Sequence, residues 1–246
     1  MPAIAFLPQG WSLAALLLFV LSLGQANAAQ KFEDSMAQRT LACTVCHGAQ
    51  GRAAPDGYYP RIAGKPAGYL YNQLRNFREG RRHYELMQGL VDPLSGAYLQ
   101  EIARYFSALE LPYPPPLQVQ LSPAQQQLGE ALVKQGDDTR QIPACTSCHG
   151  QAMTGTAPNV PGLLGLPRDY VNAQLGAWKT RQRRADEPDC MARIVRQLKT
   201  EEVSAISGWL ASQALPSDTR PSSAVPPRPA GSPACGSASE LGGAKP

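Results

Sequence analysis

The feature that most constrains this fold is an internal duplication with a period of about one hundred residues. The heptapeptides ACTVCHG (42–48) and ACTSCHG (144–150) are nearly identical, and a longer similarity follows each of them. The residues that recur are Pro60, Gly64, Pro66, Tyr69, Gln73 and Leu74 in the first copy, and Pro161, Gly165, Pro167, Tyr170, Gln174 and Leu175 in the second. Similarity of this extent predicts two copies of one folding unit.

Apolar residues in both copies recur at helical spacing. In the first copy Leu70, Leu74 and Phe77 fall at i, i+4 and i+7, and the second copy repeats this spacing. Further apolar stripes predict helices over about 99–109 and 201–213. Because no segment shows sustained alternation of period two, we expect few strands and an all-α fold.

The N-terminus has the pattern of a cleaved export signal over residues 1–28. An apolar run over 13–23 is too short for the roughly 18 residues that cross a bilayer, and Ala26-Asn27-Ala28 is a small-residue cleavage site. An uncleaved anchor is the alternative, because no Lys or Arg precedes the run. The pattern predicts an exported chain that works outside the cytoplasm, where disulfides form.

Composition divides the rest of the chain into four segments. We predict a first domain over 29–111, a Pro-rich linker over 112–121, a second domain over 122–213 and a tail over 214–246. Three consecutive prolines, 114–116, make the linker stiff and non-helical. The tail is rich in Pro, Ser, Gly and Ala, with little to bury, so its composition predicts disorder.

The Cys-x-x-Cys-His motifs allow three kinds of chemistry. A shared zinc site is disfavoured because paired Cys-x-x-Cys motifs at such a site usually lie about 15–20 residues apart, whereas here about a hundred residues separate them. A thioredoxin-like dithiol needs no following His and belongs in a βαβ pattern, which is absent. Covalent attachment of c-type haem explains every position, since two thiols form thioethers and the His binds iron. We therefore assign Cys43, Cys46, Cys145 and Cys148 to two haem c groups.

Each iron then needs two axial ligands. His47 and His149 supply the first ligand of each, while His83 has no counterpart in the second copy. Met87 lies forty residues after His47, and Met191 lies forty-two after His149. Because methionine is a common sixth ligand of electron-transfer haems, this equivalent placement predicts His47/Met87 and His149/Met191 ligand pairs.

With these motifs assembled, residues 31–213 resemble the dihaem class I cytochromes c of the cytochrome c4 type (cytochrome c553-like). The resemblance rests on the paired Cys-x-x-Cys-His-Gly motifs, the Pro-x-x-x-Gly segments, the Gln-Leu-x-x-aromatic helices and the two spaced methionines. It implies two tandem cytochrome c-like domains, each wrapped around one covalently attached haem c. It also implies pocket backbone at 60–64 and 161–165, distal ligation by Met87 and Met191, and a periplasmic electron-carrying role.

Three features depart from the family pattern and leave alternatives open. The second domain carries the insertion RRADEPDC, in which Cys190 directly precedes Met191, and the tail adds Cys235. These two cysteines would form a disulfide, stay as free or intermolecularly paired thiols, or allow Cys190 to bind iron in place of Met191. The last case would make the second haem a low-potential, catalytic site.

The function predicted is electron transfer rather than catalysis. Two six-coordinate irons leave no position for substrate, and the sequence has no nucleotide-binding glycine loop or nucleophile with a matched base. We expect a relay between a respiratory donor or dehydrogenase and a terminal acceptor such as an oxidase, with peripheral association with a membrane complex as one arrangement. The alternative is a dihaem redox enzyme, peroxidase- or thiosulfate dehydrogenase-like, with an altered second haem site.

Charge adds little about partners. A net charge of +4 is too small to indicate nucleic acid, so we predict redox proteins as partners. Two basic clusters precede the methionines and have two interpretations, solvated helix ends or a docking surface for an acidic partner. They comprise Arg75, Arg78, Arg81 and Arg82 in the first domain, and Lys179, Arg181, Arg183 and Arg184 in the second.

Overall fold

The computed structural model describes residues 33–54, 57–116, 118–228 and 231–241. The predicted export signal lies outside these residues. Within the described ranges, no helix is both long enough and apolar enough to span a bilayer.

Helices build the first half of the chain. Residues 33–54 and 57–116 contain five α-helices: α1 (Met36–Arg39), α2 (Leu41–His47), α3 (Ala67–Arg78), α4 (Glu85–Val91) and α5 (Gly96–Ser107). Ser95 begins α5 as an N-cap, because its side chain accepts a hydrogen bond from the backbone N–H of Tyr98. Helices α3 and α5 pack against each other and bury Leu70 and Phe106, as the apolar spacing predicts.

The second half repeats this plan. Over 118–228 the α-helices are α6 (Pro123–Lys134), α7 (Thr146–His149), α8 (Arg168–Lys179), α9 (Cys190–Gln197) and α10 (Thr200–Ser212). Ser122 and Gln125 form a capping box at the start of α6, with Pro123 at the first helical position. Helix α10 packs on α6 and α8.

Strands are few, as predicted, and each has two residues. Within the described residues they are β1 (Gly136–Asp137), β2 (Ile142–Pro143), β3 (Gly155–Thr156) and β4 (Val160–Pro161). They form two antiparallel pairs, β1 with β2 and β3 with β4. The second pair holds the loop that carries Pro161 close to the second Cys-x-x-Cys-His motif, since Thr156 Oγ1 donates to the Cys148 carbonyl at 3.0 Å.

The two halves have cores of unequal size. The buried cluster of the second half is large and includes Leu175, Trp178 and Leu210. The first half has two smaller buried clusters: Leu70, Ile102, Ala103 and Phe106 in one, and Phe77, Val91 and Leu99 in the other. Because a domain of about 80 residues with so few buried side chains has little hydrophobic stabilisation, the first half depends most on an additional staple.

The basic clusters lie mostly at the contact between the two halves, which neither sequence interpretation anticipated. Arg75 and Arg81 form ion pairs with Asp186 of the RRADEPDC insertion, the second at 3.2 Å. Arg82 and Arg183 face each other in a backbone bridge. These four arginines therefore join the two halves and are not free to form a docking surface.

The arginine pair sits in a nearly symmetric hydrogen-bond network. Arg82 donates to Gln73 (3.1 Å) and Gln174 (2.7 Å), and Arg183 donates to the same two amide oxygens at 2.9 Å each. Each guanidinium also stacks on an aromatic ring of its own half: Arg82 on Phe77 of α3, and Arg183 on Trp178 of α8. We name this set the arginine–glutamine network; it fixes how the two halves meet.

The segment predicted as a disordered tail differs from that expectation. Cys190 and Cys235 form a disulfide. This is the first of the three alternatives that the sequence left open for these cysteines. Cys235, Ala238 and Leu241 are buried against Val160 and against Cys148 of the second motif. Composition predicts poor burial for an isolated tail, whereas a covalent tether beside α9 brings these small apolar residues into contact with the domain.

Removing this disulfide is expected to lower stability. In the Cys190→Ser/Cys235→Ser variant the cross-link closing 45 residues is lost, and cross-links of this kind contribute about 2–4 kcal/mol. Guanidinium unfolding followed by far-UV circular dichroism should show a lower midpoint for the variant. The unaltered protein under reducing conditions is the matched control and should shift in the same direction. Identical midpoints in all three samples would show that the tether does not stabilise the fold.

Candidate haem sites

Both Cys-x-x-Cys-His motifs end on a short helix closed by glycine. Helix α2 ends at His47 and α7 ends at His149, and the following Gly48 and Gly150 have φ of 74° and 84°. A Cβ added at Gly48 would lie 2.1 Å from the Ala53 carbonyl oxygen. Glycine is therefore required after the first His by both the left-handed backbone and the close approach of the next loop.

The two histidines are oriented by the same interaction. His47 Nδ1 lies 2.8 Å from the Pro60 carbonyl oxygen, and His149 Nδ1 lies 2.7 Å from the Pro161 carbonyl oxygen. A carbonyl only accepts, so Nδ1 carries the proton in each ring and Nε2 keeps its lone pair. This hydrogen bond orients the ring so that the imidazole can bind a metal through Nε2.

Burial keeps both rings neutral. Burial lowers the pKa of His47 and of His149, although the hydrogen bond to each proline carbonyl opposes this. A nearby cation lowers the pKa further in each case, Arg82 for His47 and Lys65 for His149. A neutral imidazole is the form that binds iron.

The motif thiols do not have the properties of a reactive dithiol. Cys43, Cys46, Cys145 and Cys148 are not in disulfides. Burial raises the pKa of Cys43, and it raises the pKa of Cys145 to about 12, whereas redox-active cysteines have lowered pKa values. No cluster of three or more His, Cys, Asp or Glu forms among the described residues, so the two motifs are not joined in a zinc-type site. The donor set fits two separate haem c groups.

Met87 lies on α4, and aromatic contacts connect the start of that helix to His47. The Tyr59 ring meets the His47 ring edge-on at 6.2 Å between centroids. The hydroxyl of Tyr84, the N-cap of α4, donates to the Tyr59 hydroxyl at 3.3 Å. Met87 itself is partly buried against Phe77, Val91 and Leu99. The start of α4 is therefore linked to His47 through Tyr59, and ligation by Met87 stays a prediction.

Met191 is the second residue of α9 and packs against the large core together with Cys145 of the motif. Cys190 is in the disulfide, so its sulfur is not available as a thiolate ligand, and the interpretation that it replaces Met191 is wrong. The feature that favoured a catalytic second haem is thereby removed. Ligation by Met191 also stays a prediction.

Two roles were not anticipated from the sequence, although the segments 60–64 and 161–165 were expected to line the haem pockets. The proline carbonyls that orient the histidines belong to the backbone, although Pro60 and Pro161 themselves recur in the repeat. The arginine–glutamine network was missed as an interface, but a signal was present, because Arg82 and Arg183 lie 101 residues apart, at the same offset as Gln73 and Gln174.

Comparison with known proteins gives relatives over most of the chain. No family model matches. A thiosulfate dehydrogenase electron acceptor from Thiomonas intermedia (strain K12) is 38% identical over 183 residues, covering 74% of this chain and 82% of the relative. Cytochrome c4 of Pseudomonas aeruginosa is 32% identical over 202 residues, covering 79% and 96%. The crystal structure of reduced cytochrome c4 from Pseudomonas stutzeri superimposes with a TM-score of 0.61 at 27% identity, covering 73% of this chain and 97% of that one.

These likenesses agree with the two motif helices, the oriented histidines and the mostly helical repeat. The all-α fold of two tandem cytochrome c domains is confirmed, and so is the expectation of two haem c groups. The relatives are electron carriers, so the enzyme alternative is not supported. The chain belongs to the cytochrome c4 and thiosulfate dehydrogenase electron acceptor family of dihaem cytochromes c, and it is an electron carrier with redox proteins as its partners.

Proposed function

We propose that this chain accepts electrons from a thiosulfate dehydrogenase and passes them to a terminal acceptor such as an oxidase. The donor is inferred from the relative of 38% identity, whose name states that role for that protein. The observation in this chain that carries the proposal is the matched orientation of two neutral histidines, each with Nδ1 bonded to a proline carbonyl. Two equivalent sites suit a relay that takes up and releases two electrons.

The residues that would hold the two groups follow from the repeat. In the first domain, Cys43 and Cys46 would form thioethers, and His47 and Met87 would bind iron. In the second domain, Cys145 and Cys148 would form thioethers, and His149 and Met191 would bind iron. A bound haem c supplies a one-electron couple at iron, and a Met ligand raises its potential. Domains over 29–111 and 122–213, joined by 112–121, would each contain one complete site.

In these sites the protein orients the two histidine rings and excludes water from them. The Pro60 and Pro161 carbonyls set the tautomer and direction of each imidazole. Burial of both histidine rings keeps their surroundings apolar, which limits the change in solvation when an electron arrives.

The place of action that we propose is the periplasm. The export-signal pattern over residues 1–28 supports this location. The Cys190–Cys235 disulfide supports it independently, because such bonds persist in oxidising compartments. Peripheral association with a membrane complex would fit an oxidase as acceptor.

Reduction by a thiosulfate dehydrogenase tests the proposed donor. The oxidised protein would be mixed with a catalytic amount of the purified enzyme and an excess of thiosulfate, and the haem absorbance followed with time. We expect reduction of two haems per chain, because both sites accept one electron each. Samples without enzyme, or without thiosulfate, should stay oxidised.

A mitochondrial-type cytochrome c serves as a second acceptor in the same assay. If the enzyme reduces that acceptor rapidly and leaves this protein oxidised, the proposed donor is wrong. Reduction of only one haem per chain would contradict the two-electron relay.

A further inference from the structure

Lys65 is a buried cation that crosses from the first domain into the second. It directly follows the 60–64 segment, and its side chain is 4% exposed. Its Nζ donates to the Gly162 carbonyl oxygen at 3.1 Å, 97 residues away in the chain. Among the described residues, none of the Asp or Glu side chains lies within ion-pair distance of it. A buried ammonium without a carboxylate partner is rare because its desolvation is costly.

This contact breaks the symmetry of the interface. Tyr69, Gln73 and Arg82 each have a counterpart 101 residues later that makes the equivalent contacts. The counterpart of Lys65 at the same offset is Leu166, which packs against the core of its own domain. The first domain therefore places a lysine ammonium in the second domain. The second domain has no lysine at the matching position, where Leu166 stands.

The ammonium lies close to the proximal side of the second haem site. Gly162, whose carbonyl accepts from Lys65, is the neighbour of Pro161, whose carbonyl accepts from His149 Nδ1 at 2.7 Å. Two hydrogen bonds and the adjacent residues Pro161 and Gly162 therefore connect the Lys65 ammonium to the His149 ring.

We propose that Lys65 sets the reduction potential of the second haem from the neighbouring domain. The inference rests on the proposed ligation of that haem by His149. Reduction adds one negative charge to the iron site, and a buried positive charge nearby stabilises the reduced state because the protein interior screens it weakly. Lys65 therefore raises the reduction potential of the second haem. When the chain carries one electron, this favours its residence on the second haem.

Neutral replacements of Lys65 test this directly. Lys65→Gln keeps a donor for the Gly162 carbonyl while removing the charge, and Lys65→Met removes both. In a redox titration followed by haem absorbance, we expect the second haem's ratio of reduced to oxidised iron at a fixed potential to fall about tenfold, which is a shift of ~59 mV. The first haem should keep its potential. The second haem's component is identified as the one that Met191→Leu displaces.

Two controls separate the charge from general damage. Lys134→Gln removes an exposed lysine paired with Glu130 on α6, and it should shift neither haem. Lys65→Arg retains the charge, and its second haem should stay nearer to the unaltered potential than that of Lys65→Gln. Retention of the sulfur–iron absorption band in each variant verifies that the site is intact.

Three results would overturn the inference. They are an unchanged second haem in Lys65→Gln, an equal shift of both haems, and the same shift in Lys134→Gln. Failure of the proposed haem sites is distinguishable, because it would appear first in the unaltered protein as a haem content other than two per chain.

Discussion

Replacing Cys43 and Cys46 by alanine is expected to halve the haem content and to unfold most of the first domain. Among its described residues, the first domain has two small buried apolar clusters, which include Phe106 and Leu99 respectively. A domain of this size usually needs a cross-link or a metal for stability, and a covalently held porphyrin supplies both tethers and a large apolar surface. Without its thioethers, the helices α2 to α5 lose that staple.

Circular dichroism and haem content measure this outcome together. The variant should retain one haem per chain and lose roughly the helical signal of the first domain. The Cys190→Ser/Cys235→Ser variant is the matched control, because it also removes two cysteines but should retain two haems. A Cys43→Ala/Cys46→Ala protein with native helical content, or with two haems, would contradict the account of the first domain.

Replacing Met191 by leucine should have the second large effect. Leucine conserves volume, and such swaps cost less than about 1.5 kcal/mol in a core, but it has no sulfur to bind iron. We expect the potential of the second haem to fall by a sizeable part of the roughly 0.8 V that axial ligands span. The sulfur–iron absorption band should fall to half, and the reduced protein should bind carbon monoxide at one haem per chain. Met87→Leu should do the same to the first haem.

The remaining methionines provide matched controls. Met153 is buried in the second domain and Met36 packs in the first, and neither occupies the repeated position before the final helix of its domain. Met153→Leu and Met36→Leu should keep the full band and resist carbon monoxide. If Met191→Leu behaves as these controls do, the sixth ligand of the second haem is another residue.

Much of the fold was predictable because the pattern is local and occurs twice. Helical spacing of apolar residues anticipated the buried faces of α3 and α8, including Phe77 and Trp178. The Cys-x-x-Cys-His motif predicted His47 and His149 as iron ligands, since that spacing is typical of haem c attachment. The repeat also pointed to Pro60 and Pro161, although the role of their carbonyls depends on how the loop folds back.

What could not be predicted depends on contacts between distant segments. From the sequence, the basic clusters were compatible with solvated helix ends and with a docking surface. Only the folded chain places Asp186 beside Arg75 and Arg81. Low apolar content predicted a disordered tail; the Cys190–Cys235 disulfide was one of the alternatives drawn from the sequence, but composition alone did not show that it would bury the tail beside α9. The burial of Lys65 could not be predicted from the sequence either, because Gly162, whose carbonyl accepts its hydrogen bond, lies in the other domain.

A redox titration of the unaltered holoprotein, followed by optical absorbance, tests whether both irons have His/Met ligation. It should include the weak long-wavelength band that reports a bond between methionine sulfur and ferric iron. With two His/Met haems we expect two positive potentials and a band intensity corresponding to two haems. One positive and one strongly negative potential, with half the band, would contradict it and show that the second iron has a ligand other than Met191.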